Sequence, residues 1–418
     1  MSAGTVVEAQ PAADPSAKPT SRPLNITLCP PDFDRFAAAM AGGPADATDI
    51  IQRYLARFLA ARGHRLDFFA PRGTQGSVTT ADPSRPAPSA ASWTAGPLFR
   101  LAEKSAWRIQ RALGVPYLNE FSQWRIADEA AAAVSSADLV YQRTALYQDG
   151  VARACKRAGT PYVLFVEADE ILEFEYLGKP LDGLLLRRAR KAFRRNLDAA
   201  SCIVCVSSQL QRRLTQHWGV PASKIAVFRN AVDLERFRPD PAARADIRRS
   251  LGVGDAPLLL FLGSFYRWHD VPALLEAYRG ALRAHPEARL ALVGDGAERP
   301  AMEAQARALG IADRTIFTGR VAHEDVPKYL AAADVAVAPY PKMGDEMWLS
   351  PLKVYESMAV GAPVIASAVG QLSDLITHGE TGMLVPAGDA AAFGAAIERL
   401  LARPQLRESI SRRAREHI

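Results

Sequence analysis

Short, continuous apolar runs alternate with amphipathic stretches along the chain from residue 24 onward. In the first half these runs are LNITLC, LDFFA, ADLVY, PYVLFV and CIVCVS, and in the second half APLLLFLGSF, LALVG, TIFTG, DVAVAP, PVIAS and MLVP. Continuous apolar runs of this length are typical of strands buried on both faces of a parallel sheet. Between them the apolar positions follow helical spacing, as at Leu210, Leu214 and Trp218. The alternation predicts an α/β fold of two doubly wound, Rossmann-like domains.

The segments between these runs indicate where the domains begin and end. Residues 1–23 are rich in Ala, Pro, Ser and Thr and hold no apolar segment, which predicts a disordered lead-in. Because segment 228–241 follows the last run of the first half and carries two prolines, we expect an N-terminal domain over 24–228 and a C-terminal domain over 229–418. Ligands of doubly wound sheets bind at the carboxyl ends of strands, so the site is expected in the cleft between the domains. A Pro/Ser/Thr/Gly-rich segment, 71–97, predicts a flexible excursion near that cleft.

Charge and cysteine content narrow the possible partners. The 418 residues carry a net charge of +6, which favours anionic ligands or surfaces but also fits an ordinary solvated surface. Cys202 and Cys205 form a C-x-x-C pair inside an apolar run, where residues three apart point to opposite faces of a strand. No second Cys or His pair has zinc-site spacing, so we expect core cysteines in a reducing compartment and no metal. No apolar run has the length of a membrane span.

Several motifs follow one another in the second half with a characteristic spacing. These are RNAVDLERFRP, FLGSFYRWHDV, LVGDGAE, FTGRV and PLKVYESMAVGAPVIASAVGQLSDLITHGETGMLVPAGD. The ordered set resembles the GT-B glycosyltransferases, in particular the large retaining family related to sucrose- and mannosyl-transferring enzymes. The resemblance covers about residues 24–415 and is strongest over 200–386. It implies a sugar transferred from a nucleotide-diphosphate donor held by the C-terminal domain. Members of this family usually continue past a segment like 411–418 into a last helix that crosses back to the N-terminal domain, a segment that this sequence does not include.

A carboxylate suits the ribose of such a nucleotide sugar, because the ribose hydroxyls donate hydrogen bonds and a carboxylate accepts them. Glu356 matches the second Glu of the family's Glu-x7-Glu motif, although a Glu at the start of a helix can also be an ordinary solvated residue. The first Glu of the motif is replaced by Trp348, and Asp345 or Glu346 just upstream are the alternative carboxylates for the transferred sugar. The S-P-L-K variant that begins at Ser350 resembles a subgroup often found in surface-polysaccharide pathways.

The diphosphate needs positive charge and backbone N–H donors. The resemblance implies an Arg directly after Gly263 and a Lys five residues later, but these positions hold Ser264 and His269. Arg267 and Lys353 are therefore the candidate catalytic cations, and their alternatives are a surface charge and an exposed helix lead-in. His269 is expected to bind phosphate or to titrate near neutrality.

The base and the reaction itself need little dedicated machinery. Gly319 and Arg320 in FTGRV match the family's base-contacting turn. Retaining enzymes of this fold are generally assigned a same-face mechanism in which the departing phosphate accepts the acceptor's proton. The resemblance therefore implies neither a catalytic base nor a bound metal.

The acceptor is expected on the N-terminal domain. Gly42 and Gly43 follow the first apolar run and open a helix, where glycine lets the backbone approach a ligand and the helix N-terminus favours anions. The other candidates follow apolar runs and can equally form structural salt bridges. They are Tyr141, Arg143, Glu167 and Asp169.

Two basic amphipathic stretches, 98–124 and 184–197, predict peripheral contact with an anionic membrane, against the alternative of solvated basic faces. With a lipid-linked, glycan or small-molecule acceptor, we expect a cytoplasmic protein at the inner face of the membrane. Three other classes compete with this interpretation: a non-catalytic GT-B subunit, an epimerase or phosphorylase on the same fold, and a nucleic-acid binder. The last lacks any recognised binding motif.

Overall fold

The computed structural model describes most of the chain outside the first 21 residues. The described residues are 22–41, 43, 47–71, 77–82, 93–114, 120–342, 348 and 350–418. The predicted lead-in therefore falls almost wholly outside the described residues, as do 72–76 and 83–92 of the predicted excursion. The described part of that excursion is partly regular, because it contains a short strand and a helix start.

In the described part of the chain, the N-terminal sheet has seven strands. They are β1 Asn25–Cys29, β2 Arg65–Pro71, β3 Ser77–Thr80, β4 Leu139–Arg143, β5 Tyr162–Val166, β6 Cys202–Cys205 and β7 Ile225–Val227. Their spatial order is β3-β2-β1-β4-β5-β6-β7, and every neighbouring pair is parallel except the edge pair β2–β3. The order reverses between β1 and β4, where doubly wound sheets bind ligands.

The C-terminal sheet repeats this winding with parallel strands only. Its strands are β8 Leu258–Leu262, β9 Arg289–Val293, β10 Thr315–Gly319, β11 Val335–Ala338, β12 Val364–Ser367 and β13 Met383–Val385. The order β10-β9-β8-β11-β12-β13 places its reversal between β8 and β11. The predicted pair of doubly wound domains is confirmed, and most of the candidate donor residues follow the two strands at this reversal, while Gly319 and Arg320 lie at the end of β10.

Helices cover both sheets. Those of the N-terminal half are α1 Phe33–Met40, α2 Ala47–Ala61, α3 Pro97–Ala112, α4 Glu120–Glu129, α5 Ala131–Ser136, α6 Gly150–Ala158, α7 Glu170–Tyr176, α8 Gly183–Ala199 and α9 Ser208–Gln216. Those of the C-terminal half are α10 Pro241–Ser250, α11 Val271–Ala281, α12 Arg299–Ala308, α13 Val326–Ala332, α14 Leu352–Ala359, α15 Leu372–Leu375, α16 Ala390–Leu401 and α17 Pro404–His417. The predicted joint at 228–241 lies between β7 and α10. None of the helices in the described ranges combines the length and apolar character needed to cross a bilayer.

Local signals in the sequence explain several helix starts. Asp240 and Asp270 each accept a hydrogen bond from a backbone N–H in the first turn of α10 and α11, and a proline follows within the first two positions of both helices. Helix α17 packs on α14, and Arg415 donates to the carbonyl of Ala359 at the end of α14. This contact holds α14, the helix that carries the candidate donor residues, from its far end.

Candidate functional site

Three strand ends meet closely at the carboxyl edge of the C-terminal sheet. The N–H of Gly294 donates to the carbonyl of Gly319 over 2.9 Å, and the N–H of Gly263 donates to the carbonyl of Val293 over 2.9 Å. Gly294 has a φ of +140°, and a Cβ there would lie 2.0 Å from the carbonyl oxygen of Gly263. Only glycine fits this contact. The edge therefore presents bare backbone from β8, β9 and β10, and Arg320 beside it is exposed.

The amine of Lys353 is buried beneath this edge. Its Nζ lies 4.5 Å from the ring centroid of Phe261 and 5.5 Å from that of Tyr340, and a Cβ on Gly263 would be 2.9 Å from it. Among the described residues, Nζ has no hydrogen-bond partner. Burial lowers the pKa of Lys353 from 10.5 to about 7, although the nearby Glu356 carboxylate raises it. The alternative of an exposed helix lead-in is therefore wrong, because the amine is enclosed beside the glycine edge.

His269 packs beside Lys353 but does not add a second charge. Its Nδ1 lies 2.6 Å from the carbonyl oxygen of Ser264, so Nδ1–H donates to that carbonyl. Burial and then the charge of Lys353 lower the pKa of His269 well below its usual value. The expectation that His269 titrates near neutrality is wrong, because the ring stays neutral at pH 7 and can only accept at Nε2.

Arg267 is exposed and reaches toward the other domain. A Cβ on Gly178, directly after α7, would lie 3.2 Å from Nη1 of Arg267. The guanidinium thus stands at the cleft between the domains, where a phosphate contact stays a prediction.

Glu356 lies one turn inside α14, which begins at Leu352, rather than opening the helix as its sequence context suggested. The residue is 6 % exposed, so the solvated-residue alternative is wrong. Its Oε1 lies 3.3 Å from Nε2 of His323, and among the described residues this is the one hydrogen bond to its side chain. Lys353 and Glu356, three residues apart on α14, therefore bring a cation and a carboxylate to the same end of the sheet.

Trp348 and Ser350, just before α14, contact residues of the N-terminal domain and of the joining segment rather than the donor side. Trp348 is 6 % exposed and belongs to the hydrophobic core of the N-terminal domain, with its ring 5.7 Å from that of Tyr176. Its carbonyl accepts a hydrogen bond from the Ser207 hydroxyl over 3.1 Å. The carbonyl of Ser350 accepts from the Asn230 side chain over 2.6 Å. Asp345 and Glu346, the alternative carboxylates for the transferred sugar, lie outside the described residues.

On the acceptor side, Arg143 and Glu167 neutralise each other. Arg143 Nη2 lies 2.8 Å from Glu167 Oε2, which also accepts from the Thr48 hydroxyl over 2.9 Å, and both charged side chains are about one-quarter exposed. This is the structural ion pair of the alternative interpretation, although it stays reachable from the cleft. Tyr141 stacks on Phe165 with 6.1 Å between ring centroids and is partly buried.

Asp169 is not an acceptor contact. It is fully buried, caps α7, and its Oδ2 accepts from Arg213 Nε over 2.6 Å and from Trp218 Nε1 over 2.8 Å. That expectation is therefore wrong. Gly43 donates its N–H to the carbonyl of Ala38, and a Cβ there would sit 3.0 Å from the same oxygen, whereas Gly42 lies outside the described residues.

Glu170, which the sequence interpretation missed, adjoins the acceptor-side pair. Burial raises the pKa of Glu170 to about 8, and the charge of Arg143 opposes this. A carboxyl in this position is largely protonated at neutral pH and can donate a hydrogen bond. The acidic run VEADEILEFE was visible in the sequence, but burial, which sets the protonation state, was not.

Part of the basic stretch 184–197 is bonded to other residues of the N-terminal domain. Within α8, Arg188 is 6 % exposed and Arg195 lies 2.9 Å from the buried Asp149, while Arg194 donates to the carbonyl of Trp218. These three side chains therefore have partners within the N-terminal domain, and the contribution of this helix to a membrane face stays a prediction.

Two family models match the chain one after the other. The model described as Glycosyltransferase Family 4 matches residues 52–236, and the model described as Glycosyl transferases group 1 matches residues 256–403. They fall on the N-terminal and C-terminal sheets respectively.

Among curated proteins, a GDP-mannose-dependent alpha-(1-6)-phosphatidylinositol monomannoside mannosyltransferase of Mycobacterium tuberculosis is 31% identical over 226 residues, or 54% of this chain and 58% of that protein. A D-inositol 3-phosphate glycosyltransferase of Geodermatophilus obscurus is 37% identical over 228 residues, or 52% and 48%. The match thus spans about half of each relative's length.

Solved structures extend the likeness to nearly the whole chain. Sucrose-phosphate synthase from Thermosynechococcus elongatus aligns with a TM-score of 0.67 and 24% identity, and Anabaena Alr3699/HepE in complex with UDP and glucose aligns with 0.64 and 19%. Both alignments cover 94% of this chain and 94% of the other. At these identities they show the fold alone, two doubly wound domains of the GT-B type.

Proposed function

The chain belongs to the GT-B glycosyltransferases, and from that premise we propose that it transfers a sugar from a nucleotide-diphosphate donor to a lipid-linked glycan, with retention of configuration and without a bound metal. The observation that supports this proposal most strongly is the pair formed by Lys353 and Glu356 on α14. Lys353 offers a buried amine beside the glycine edge that has no hydrogen-bond partner in the described part of the chain, and Glu356 offers a carboxylate three residues on. A diphosphate and a ribose are the two donor groups that need these charges.

The proposed step breaks the bond between the anomeric carbon and the diphosphate oxygen and forms a bond from the same carbon to the acceptor hydroxyl on the same face. The electron pair leaves with the nucleoside diphosphate, whose phosphate oxygen takes the acceptor's proton. Lys353 stabilises the negative charge that develops on the leaving phosphate. Because no side chain needs to remove the proton, the ion-paired Arg143 and Glu167 serve to orient the acceptor.

A donor panel tests the proposal. Binding of UDP-, GDP-, ADP- and TDP-sugars is measured by calorimetry, and turnover by release of the nucleotide, for wild type and Glu356→Ala. Glu303→Ala, a partly exposed change on α12, is the matched control. Saturable binding of one donor, lost in Glu356→Ala and kept in the control, supports the transferase. No binding of any donor by wild type favours the second candidate, a non-catalytic GT-B subunit, for which the departures at Ser264, His269 and Trp348 are the motivating observation.

A lipid-linked acceptor is supported by helix α3. At about 100° per residue its side chains divide into three stripes. The inward stripe includes Phe99 and Glu103, the latter bonded to Arg125. The two outward stripes are one of apolar residues and one of bases. The apolar stripe comprises Leu98, Leu101, Ala102, Ile109 and Ala112 and is interrupted by the polar Ser105, and the basic stripe comprises Arg100, Lys104, Arg108 and Arg111.

The exposure of the apolar stripe favours a bilayer over solvent. Leu98 is 82 % exposed, Leu101 62 % and Ile109 61 %, and no acidic residue lies among the outward positions of α3. Leucines flanked by cations suit the headgroup region of an anionic membrane. The four cysteines of the sequence are all free, which supports the cytoplasmic face.

Sedimentation with vesicles separates this part of the proposal from the donor site. Wild type is expected to sediment with phosphatidylglycerol vesicles at low salt and not with phosphatidylcholine vesicles. Leu98→Glu/Leu101→Glu should abolish sedimentation, whereas Leu184→Glu, an equally exposed leucine on α8, should not. Equal loss in both variants, or no sedimentation of wild type, would remove the membrane contact.

A further inference from the structure

The candidate ribose carboxylate is connected to the other domain through one histidine. His323 lies in the loop between β10 and α13, and its side chain is 8 % exposed. Its Nε2 lies 3.3 Å from Glu356 Oε1, and its Nδ1 lies 3.5 Å from Nη2 of Arg53 on α2 of the N-terminal domain. A single imidazole thus touches both domains and the donor helix.

The donors and acceptors at this histidine leave one arrangement of hydrogens. An arginine can only donate, so Nδ1 accepts from Arg53. Nε2 then carries the ring hydrogen and donates it to the carboxylate of Glu356. Arg53 is 3 % exposed, and its hydrogen-bond partners among the described residues are His323 and the carbonyl of Ala39, with no carboxylate. The neutral ring therefore stands between a buried cation and a buried carboxylate, and it transmits the field of one to the other.

The backbone of His323 is fixed from the same direction. Arg236 lies in the segment that joins the domains. One of its guanidinium N–H groups donates a hydrogen bond to the carbonyl of His323, and another donates to the hydroxyl of Tyr54 on α2 over 3.3 Å. The ring of Phe237 lies 6.0 Å from the imidazole. The position of His323 therefore depends on how α2 and the joining segment sit against the C-terminal domain.

We propose that His323 is a positioning residue that couples the approach of the two domains to donor binding: with Arg53 against Nδ1, its Nε2–H holds Glu356 Oε1 and leaves Oε2 for the ribose hydroxyls. The inference rests on the proposed function, since it assigns Glu356 to the ribose. It predicts that the contribution of Arg53 to donor affinity passes through His323.

The test uses the full chain and a pair of probes that differ only at the ribose. Dissociation constants are measured by calorimetry for UDP, GDP and ADP, and then for the best binder and its 2′,3′-dideoxy counterpart. His323→Ala should weaken the ribonucleotide about tenfold and leave the dideoxy form within about twofold, because the lost interaction is one charge-assisted hydrogen bond. The exposed neighbour change Glu324→Gln is the matched control and should affect neither.

Two conservative variants separate the two contacts of the ring. Glutamine places an N–H near the position of Nε2, so His323→Gln should keep most of the ribonucleotide affinity. Asparagine places its amide near Nδ1 and loses the donor toward Glu356, so His323→Asn should behave like His323→Ala. Equal behaviour of His323→Gln and His323→Ala would overturn the proposed orientation of the ring.

A double-variant cycle tests the coupling to the N-terminal domain. If His323 carries the influence of Arg53, Arg53→Gln weakens ribonucleotide binding on its own but adds nothing in a His323→Ala background. Losses that multiply would overturn the coupling, and so would equal losses for the dideoxy probe. That probe also reports whether each variant keeps a folded diphosphate site. Failure of wild type to bind any nucleotide would instead reject the proposed function itself.

Discussion

Replacing Lys353 by methionine should make the protein more stable and weaken its binding of nucleotide. The charged amine is held against aromatic rings without a hydrogen-bond partner among the described residues, which lowers its pKa from 10.5 to about 7. At about 1.4 kcal/mol per pKa unit, the lysine costs the folded state on the order of 4 kcal/mol at pH 7. Methionine has a similar length and no charge to desolvate.

Part of this gain is offset by interactions that methionine cannot make. The amine lies over the rings of Phe261 and Tyr340, and such cation–π contacts return about 1–2 kcal/mol. We therefore expect Lys353→Met to raise the free energy of unfolding by about 2 kcal/mol, which corresponds to a Tm increase of about 4–8 °C. Loss of a charge-assisted contact to the diphosphate should weaken nucleotide binding about 10- to 100-fold.

Urea unfolding and calorimetric titration with the nucleoside diphosphate measure both effects on one preparation. Lys156→Met, which removes an exposed lysine on α6, is the control and should change neither quantity. A Lys353→Met protein that is less stable than wild type, or that binds nucleotide as tightly, would refute the assignment of Lys353 as a destabilising cation kept for the donor.

Three further predictions follow from the same contacts. Nucleotide affinity of wild type should be constant below about pH 7 and fall by up to tenfold per pH unit above it, because binding then requires Lys353 to take up a proton. Calorimetric titrations at several pH values check this, and the nucleotide affinity of Lys353→Met should not change with pH. Asp169→Asn should lower the free energy of unfolding by about 3 kcal/mol, as Arg213 loses a buried partner, yet leave nucleotide affinity unchanged; unfolding and titration of one sample separate the two. Gly294→Ala should destabilise by about 3–5 kcal/mol in urea unfolding, since its Cβ meets the carbonyl of Gly263, and a stable variant would contradict the close approach.

Most of the fold was predictable because buried parallel strands leave a continuous apolar run in the sequence. Each run identified in the two halves of the chain corresponds to a strand. The two strands without a prediction are β3, Ser77–Thr80, and β7, Ile225–Val227. β3 is an antiparallel edge strand of mostly polar residues, and β7 is only three residues long, so neither produces a run long enough to stand out.

The site was predictable only where its residues are close in sequence. Lys353 and Glu356 stand three apart on one helix after a strand, so a local motif carried both. Asp169 was visible as the end of a strand, but the arginine and tryptophan that occupy its carboxylate come more than 40 residues later. Arg53 and His323 meet across 270 residues, and nothing in either local sequence indicates the other.

The residues that depart from the family motif, Ser264, His269 and Trp348, are explained by the arrangement around Lys353 and α14 when they are considered together. The two cations that the motif places after β8 are replaced by Ser264 and by a neutral His269, while Lys353 brings a charge to the same glycine edge from α14. Because the Lys353 side chain reaches the edge from below, it lies among apolar and aromatic side chains. This environment accounts for the lowered pKa of the amine. Trp348, in place of a glutamate, packs into the N-terminal domain and fixes the start of α14 against it. A carboxylate at 348 would be buried there without a cation, whereas a tryptophan is stabilised, so restoring the motif by Trp348→Glu should loosen the contact between the domains rather than improve the enzyme.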